Sequence, residues 1–144
     1  MKKLKIALLL GLIFLIEIPS LAADCFDKAA AYQGVNVEIL RAIAIQENRR
    51  CDATVSKNSN GSVDIGCMQI NSIHLQELAR LDVFPADLMD QCKNVFVGAW
   101  HYKKKIKKYG NNWIAVGAYH SETPQLRDKY AQDIIAILRK HGFK

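Results

Sequence analysis

The four cysteines constrain the fold of this chain more than any other feature, because all of them follow a segment typical of export. They are Cys25, Cys51, Cys67 and Cys92. An even number of cysteines in an oxidising compartment predicts two disulfides, and four cysteines allow three connectivities. A zinc site is the alternative, but no cysteine pair has C-x-x-C spacing and no histidine pair lies nearby at ligand spacing. The sequence therefore predicts a domain held by two disulfides, with no metal site and no cofactor.

Residues 1–22 have the three parts of a secretory signal peptide. Lysines at positions 2, 3 and 5 precede an apolar core over residues 6–16, and Ser20-Leu21-Ala22 fits a cleavage site between small residues. An uncleaved anchor is the alternative, but the apolar run is short for a membrane span. The sequence therefore predicts a cleaved signal peptide over residues 1–22 and a single exported domain over residues 23–144.

Helical periodicity and capping residues predict a mainly α domain with one small β excursion, which places it in the α+β class. The polar stretch over residues 54–66 contains Asn60-Gly61, the strongest short hairpin signal, and Val63 and Ile65 alternate after it. This stretch therefore predicts a β-hairpin. The predicted helices span residues 25–33, 37 to about 47, about 72–80, 91–109 and 113–119, and the last begins at Thr123 and stops at Gly142.

Glu47 lies at the end of the apolar face of the second predicted helix. The residues three, four and seven positions before it share that face and are all apolar: Ala44, Ile43 and Leu40. Partial burial and the negative end of the helix dipole both raise the pKa of a carboxyl group, whereas Arg49 and Arg50, if close, would lower it. On this helix alone, a structural ion pair and a general acid in a cleft are both open, and the structural interpretation is favoured.

Two further stretches of the sequence favour the interpretation of Glu47 as a general acid. Residues 64–71 read DIGCMQIN and continue from the second strand of the predicted hairpin, and residues 115–122 read AVGAYHSE near the end of the chain. Together with Glu47 on a helix, the G-x-M-Q-I-N and A-Y elements resemble the lysozyme-like lytic transglycosylase family. The resemblance is greatest to the small periplasmic members that accompany secretion, conjugation and pilus systems. It covers nearly all of residues 25–130; the G-x-M-Q-I-N element is fairly specific, and the A-Y element is weak alone.

The resemblance implies a lysozyme-like single domain with its active-site cleft beside the hairpin. Such enzymes cleave the β-1,4 bond between N-acetylmuramic acid and N-acetylglucosamine in peptidoglycan. Glu47 falls on the position of the glutamate that protonates the leaving oxygen and then acts as base on the muramoyl C6 hydroxyl, which gives a 1,6-anhydro product without water. The resemblance also implies that Met68, Gln69 and Asn71 line the substrate cleft and that Tyr119 lies near Glu47.

Asp64 is the candidate for a second catalytic carboxylate. It lies on the predicted hairpin 17 residues after Glu47, and lysozyme has its acid and second carboxylate at the same separation. Three roles are open: a turn residue that hydrogen bonds the hairpin backbone, electrostatic support of an oxocarbenium-like transition state, or activation of water as in a hydrolase. The electrostatic role is favoured.

The resemblance also bears on the disulfides. Many of the periplasmic relatives pair the cysteines that correspond to Cys25 and Cys92, which would join the first helix to the long one. Cys51 and Cys67 each follow one of the two carboxylates closely, so a bond between them would tie the helix of the acid to the hairpin. A free buried thiol at Cys67, where the family usually has an aliphatic residue, is the alternative.

The chain departs from the family pattern at two positions and has one dense basic run. Asn48 replaces the usual serine after the glutamate, and His120 replaces the usual asparagine after the A-Y tyrosine. The basic run over residues 103–108 is interpreted as a mostly solvated helix face, with a contact to peptidoglycan carboxylates or to a partner as the alternative. Nucleic acid is not an expected partner, because the domain is exported and its basic run has no interleaved aromatic residues.

These observations predict a periplasmic, monomeric lytic transglycosylase that binds peptidoglycan glycan strands. It would open the wall locally for a secretion, conjugation or pilus machine, of which it is a component. The first alternative is a true lysozyme that hydrolyses the same bond. The second, from a different functional class, is a wall-binding assembly factor on the same fold with little or no catalysis.

Overall fold

A computed structural model describes residues 24–143 of the chain. The signal peptide predicted for residues 1–22 lies outside the described residues and stays a prediction. No helix in the described part is long and apolar enough to cross a membrane. The α-helices are α1 (Cys25–Gln33), α2 (Val37–Glu47), α3 (Leu75–Ala79), α4 (Gln91–Tyr109), α5 (Trp113–Ala118) and α6 (Pro124–His141). The strands are β1 (Val55–Lys57), β2 (Val63–Ile65) and β3 (Ile70–Asn71).

The helices begin where the capping residues predicted. The side chain of Asn36 accepts hydrogen bonds from the backbone amides of Glu38 and Ile39, which satisfies two donors at the start of α2. Thr123 precedes α6, and Pro124 occupies its first turn, where a missing N–H does no harm. The mainly α class predicted from the sequence is therefore confirmed.

The hairpin forms, but it belongs to a three-stranded antiparallel sheet in the order β1-β2-β3. Residues 70–71 were expected to lead straight into a helix, and instead they pair with β2. A two-residue strand is too short to show an alternating pattern, so periodicity could not predict it. As a result Asp64 lies on the central strand, opposite Ser56 on one side and Asn71 on the other.

The predicted helix over residues 72–80 is divided into two parts. Ser72–His74 forms a short 3-10 turn, and α3 follows it directly. The side chain of Asn71 accepts a hydrogen bond from the backbone amide of Ile73, which caps the first turn. A second 3-10 turn, Asp87–Met89, follows Pro85 and leads into α4.

Helix α4 runs through the centre of the domain and contacts α1 on one side and α5 on the other, while α6 packs on α2 and α5. Side chains from three helices fill the space between them, and the largest are fully buried. They include Leu40 and Ile43 of α2, Val95 and Tyr102 of α4, and Ile134 of α6. This packing fixes the end of α2 against α6, which matters for the position of Glu47.

Two disulfides join Cys25 to Cys92 and Cys51 to Cys67, the pairing expected from the sequence. The first links α1 to α4 across 67 residues, and the second links the turn after α2 to the turn after β2 across 16 residues. In the chain-entropy model, loops of these lengths stabilise the folded state by about 4 and about 3 kcal/mol respectively.

The turn after β2 is held in place from below by α4. Gly66 has a φ of +76°, and a Cβ there would lie 2.3 Å from the side-chain nitrogen of Asn94. Asn94 is fully buried; it accepts a hydrogen bond from the backbone amide of Met68 and donates to the carbonyls of Ile65 and Leu88. One buried amide therefore satisfies three backbone groups of this turn and its surroundings.

Helices α5 and α6 approach each other to backbone contact. A Cβ at Gly117 would lie 2.1 Å from the backbone oxygen of Arg127. Only a glycine leaves room for this approach, because a real Cβ does not come so close to another heavy atom. The contact fixes the end of α5 against the first turns of α6.

Candidate active site

A cleft of about 410 Å³ lies between the β-sheet and the ends of α2 and α5. Asp64, Gln69 and Asn71 line the side formed by the sheet, and Glu47, Tyr119 and His120 line the helical side. A second cavity of about 330 Å³ adjoins it between α2 and α6. We call these the main cleft and the side cavity. The residues that line both of them are Glu47 and His120.

Glu47 is the last residue of α2, and the predicted apolar face is confirmed, because Leu40, Ile43 and Ala44 are all buried. Its side chain is half-buried, and the hydroxyl of Tyr130 donates a hydrogen bond to Oε1 over 2.6 Å. Burial raises the pKa of Glu47 to about 7, and the charge of Asp64 acts in the same direction, while the hydrogen bond from Tyr130 lowers it. Glu47 therefore keeps its proton to a higher pH than an ordinary glutamate does.

The two arginines after Glu47 do not offset this effect. Arg50 forms an ion pair with Asp52, with 2.9 Å between Nε and Oδ2, and Arg49 is exposed. Neither arginine is among the groups that shift the pKa of Glu47. The structural ion pair considered from the sequence is therefore absent at Glu47, as far as the described residues extend.

Asp64 faces the main cleft from the central strand. The side-chain amide of Asn71 donates to its Oδ1 over 2.7 Å, and that of Asn58 donates to its Oδ2 over 2.9 Å. Both carboxyl oxygens thus accept a hydrogen bond, as an ionised carboxylate does. These bonds come from two different segments of the sheet region, so they fix the orientation of the carboxylate.

Gln69 and Asn71 line the main cleft, as the resemblance implied, whereas Met68 does not. The side chain of Met68 has no exposed surface and packs against Gly98 in the core. Its backbone carbonyl accepts a hydrogen bond from the buried hydroxyl of Tyr119 over 2.9 Å. The prediction that Met68 lines the cleft is therefore corrected: this residue supports the floor of the cleft from below.

Residues 24–135 match the family model described as "Transglycosylase SLT domain". The chain belongs to this family. It is 37% identical over 133 residues to "Invasion protein IagB" of Salmonella typhimurium (strain SL1344), with 89% of this chain and 83% of that protein covered. It is 38% identical over 128 residues to "Protein IpgF" of Shigella flexneri, covering 85% and 84% of the two chains. It is also 36% identical over 144 residues to "X polypeptide" of Escherichia coli (strain K12), covering 95% and 83%.

Asn48 and His120, the two departures from the transglycosylase pattern, each make a defined contact in the structure. The side-chain amide of Asn48 donates to the carboxylate of Asp52 over 2.9 Å, so it fixes the turn between α2 and Cys51. His120 is exposed, and its ring stacks on that of Tyr130 with 5.1 Å between centroids and 2° between the planes. Asn48 thus acts within the turn, while His120 faces the site.

Sequence reasoning missed several residues that shape the site of this transglycosylase-family domain. Tyr130 was not singled out from the sequence, yet its hydroxyl contacts Glu47 across 83 residues of sequence. Asn58 and Asn94 were not singled out, although one orients Asp64 and the other holds the turn at Gly66. A tyrosine on an apolar helix face could have been a signal, since a buried hydroxyl needs a partner.

A pair of histidines also lines the main cleft. The rings of His74 and His101 lie 4.6 Å apart between centroids, and Nε2 of His101 lies 3.3 Å from the backbone oxygen of Tyr119. Burial is the main cause that lowers the pKa of His101 to about 3, and His74 and Lys105 act in the same direction. His101 is therefore neutral at physiological pH.

The basic run of α4 is mostly engaged in contacts within the domain. Its ammonium groups lie against carboxylates or a helix end: Lys103 donates to the carbonyl of Gly34, Lys104 pairs with Glu77, and Lys105 and Lys108 both pair with Glu122. The interpretation of this run as a mostly solvated helix face is therefore incomplete. Within residues 24–143, no group of three or more His, Cys, Asp or Glu side chains could hold a metal ion.

Proposed function

We propose that this protein is a lytic transglycosylase that cleaves the β-1,4 bond between N-acetylmuramic acid and N-acetylglucosamine in peptidoglycan. The product would carry a 1,6-anhydromuramoyl end. The observation that carries this proposal is Glu47, a half-buried carboxyl in the wall of the main cleft whose pKa is raised to about 7. A general acid works best when its pKa lies near the working pH, because it then holds a proton and can also release it.

In the first step, the proton of Glu47 passes to the glycosidic oxygen as the bond between that oxygen and C1 of the muramoyl residue breaks. Tyr130 hydrogen bonds to Oε1, which leaves Oε2 for the leaving group. The hydroxyl of Tyr130 then stabilises the carboxylate that forms. Positive charge develops on the sugar ring in this step, as in other glycosidases.

In the second step, the C6 hydroxyl of the same muramoyl residue attacks C1. Glu47, now ionised, accepts the proton of that hydroxyl and returns to its starting state. The ring closes, and no water is consumed. One residue therefore serves as acid and then as base, and the raised pKa suits both roles.

Asp64 supports this reaction by its charge. Its carboxylate lines the same cleft and is oriented by Asn58 and Asn71. A negative charge held near the sugar would stabilise the oxocarbenium-like transition state. Asp64 also raises the pKa of Glu47, so it would assist the acid even before the bond begins to break.

We place this activity in the periplasm, on glycan strands, and at a secretion, conjugation or pilus machine, with the protein acting as a monomer. The export signal predicted for residues 1–22 supports the compartment. The family match supports the substrate class, and the name "Invasion protein" of one relative fits a secretion context.

The direct test is Glu47→Gln, which keeps the shape of the side chain and removes the transferable proton. We expect clearance of purified peptidoglycan to fall by roughly 10²- to 10⁴-fold, the range for loss of a general acid. Glu38→Gln is the matched control, because it makes the same change at the other end of α2. If Glu47→Gln clears peptidoglycan as fast as an active wild type, Glu47 is not the acid and this mechanism fails; if the wild type itself does not clear peptidoglycan, the protein is a wall-binding assembly factor and the enzyme proposal fails.

A second candidate is hydrolysis of the same bond, as in lysozyme. It is favoured by Asp64, which faces the cleft across from Glu47 in an orientation fixed by two amides. Mass spectrometry of the products separates the two reactions, since a 1,6-anhydro end is one water lighter than a reducing end. Products with only reducing ends would assign the chain to the hydrolases.

A further inference from the structure

His120 occupies a special place in the site. It lies two residues after the end of α5, and with Glu47 it lines both the main cleft and the side cavity. The boundary between the two spaces is therefore formed by these two side chains. Since the acid is one of them, the imidazole of His120 lies beside the position where the sugar bond would break.

The ring of His120 also covers the partner of the acid. It is nearly parallel to the ring of Tyr130, at the centroid separation of an offset stack. Tyr130 is 5% exposed, and its hydroxyl donates to Oε1 of Glu47. The three side chains form a continuous series in which His120 is the exposed member and Glu47 is the reacting one.

The backbone holds this stack in register. His120 lies three residues after Gly117, and Tyr130 lies three residues after Arg127, and these two are the residues at which α5 and α6 meet. The close contact between α5 and α6 therefore lies three residues before each ring along the chain. His120 itself lies in the turn after α5, where its backbone amide donates to the carbonyl of Gly117 over 3.2 Å, so the turn is tied to the residue that contacts α6.

We propose that His120 is a positioning residue for Glu47: its ring covers the Tyr130–Glu47 hydrogen bond, excludes water from it, and thereby keeps the acid protonated. This inference rests on the proposed role of Glu47 as the acid. The aromatic ring of His120, and not its charge, keeps water out. It does so through its stack on Tyr130.

Exclusion of water matters here because burial is the largest cause of the raised pKa of Glu47. Removal of the ring would let water reach the carboxyl from the side cavity and lower that pKa. The other charged groups that face this site are Asp64 from β2, Lys129 and Asp133 from α6, and the Lys105–Glu122 ion pair at the main cleft. None of them changes in a variant of His120, so a shift in the pH profile would report either the ring or the ionisable group of His120, and a phenylalanine separates the two.

The test compares His120→Ala with His120→Phe, because phenylalanine keeps a flat ring for the stack and removes the ionisable group. We expect His120→Ala to move the alkaline limb of the kcat profile on peptidoglycan down by about one pH unit, since burial effects on pKa are of that order or larger. At pH 8, where both enzymes would be on that limb, kcat would fall about tenfold with little change in KM. His120→Phe would keep the wild-type limb. Leu126→Ala, which enlarges the side cavity outside the stack, is the control and should also keep it.

A readout that needs no turnover separates this proposal from the proposed function. The carboxyl carbon of Glu47 can be titrated by NMR in chains labelled at glutamate, with Glu47→Gln to assign the signal. We expect the pKa of Glu47 to fall in His120→Ala and to stay near 7 in His120→Phe, whether or not the chain proves to be a transglycosylase. Equal shifts in the two variants, or an unchanged Glu47 in both, would overturn the role of the ring. So would a loss confined to KM, which would make His120 a direct sugar contact.

Discussion

The two walls of the cleft hold their carboxylates in opposite ways. On the helical wall, Glu47 ends an apolar face, is half-buried, and has one neutral hydroxyl as its partner. On the sheet wall, Asp64 lies on a central strand and accepts amide hydrogen bonds at both oxygens. One environment favours a protonated group and the other suits a fixed negative charge. A single domain can thus supply an acid and a charge at the same pH by placing chemically similar side chains in different surroundings.

The largest effects are expected from removal of the disulfides. They test the difference between the two walls because Cys51–Cys67 joins one wall to the other. We expect Cys51→Ser with Cys67→Ser to lower the free energy of unfolding by about 3 kcal/mol, and Cys25→Ser with Cys92→Ser to lower it by about 4 kcal/mol. Urea unfolding measures both. At a temperature where all variants are folded, kcat should fall only in the first pair; an equal fall in the second would show that the bridge between the walls has no special role.

The pH dependence of stability tests the helical wall. The pKa of Glu47 is about 7 in the folded state and near its ordinary value of 4.5 in the unfolded state. Between these values the folded state binds more protons, so the stability of the wild type falls as the pH rises from about 4.5 to 7. Glu47→Gln removes this loss and should be more stable than the wild type by about 2 kcal/mol at pH 8, after allowance for partial exposure.

At pH 4 the two proteins should be nearly equally stable, because Glu47 is then neutral in both states. The low pKa of His101 affects both proteins alike and cancels from the difference. A constant difference at every pH would mean that Glu47 is not in a dry environment.

The charge of the sheet wall is tested by Asp64→Asn. We expect kcat on peptidoglycan to fall about tenfold to a hundredfold, in keeping with the loss of one electrostatic interaction in the transition state. The alkaline limb of the pH profile should also move down, because the charge of Asp64 raises the pKa of Glu47. No change in kcat would leave Asp64 with the role of a turn residue.

A smaller effect is expected from Asn71→Ala, which removes one of the two amides on Asp64. A hydrogen bond to a charged group contributes about 1.5–3 kcal/mol to stability, and only the part of it that orients Asp64 in the transition state affects the rate, so kcat should fall several-fold and less than in Asp64→Asn. Asn58→Ala is the matched variant, since it removes the bond to the other oxygen. If either asparagine variant exceeded Asp64→Asn, direct contact with the substrate would explain its effect better than orientation of Asp64.

The parts of this site that follow from local sequence were predictable. Helical spacing alone placed Glu47 on the buried face, and one turn signal placed Asp64 on a hairpin. The pKa of Glu47 was not predictable in the same way, because it depends on burial by α6 and on where Arg49 and Arg50 point. Side chains that follow a helix end have no periodicity from which their direction could be deduced.

Contacts between segments that are distant in sequence account for the features that the sequence analysis missed or misplaced. Tyr130 reaches Glu47 only because α6 packs on α2, and β3 exists only because β2 offers it a partner. The family resemblance implied that Met68 lines the cleft together with Gln69 and Asn71, whereas its side chain is buried. The adjoining Gln69 has a left-handed backbone with φ +47°, which breaks the alternation that a strand would show. Whether a residue of this turn points into the cleft or into the core depends on the buried Asn94 beneath the turn.

Because of its contact with Arg127, Gly117 is one of the positions that neither evolution nor a designer could substitute freely. A single added methyl group at Gly117 would push α6 away from α5, and the displacement would reach the rings of His120 and Tyr130 together. Gly117 need not touch a sugar for its replacement to be felt at the acid. The mutational tolerance of this domain is therefore governed in part by an absent side chain.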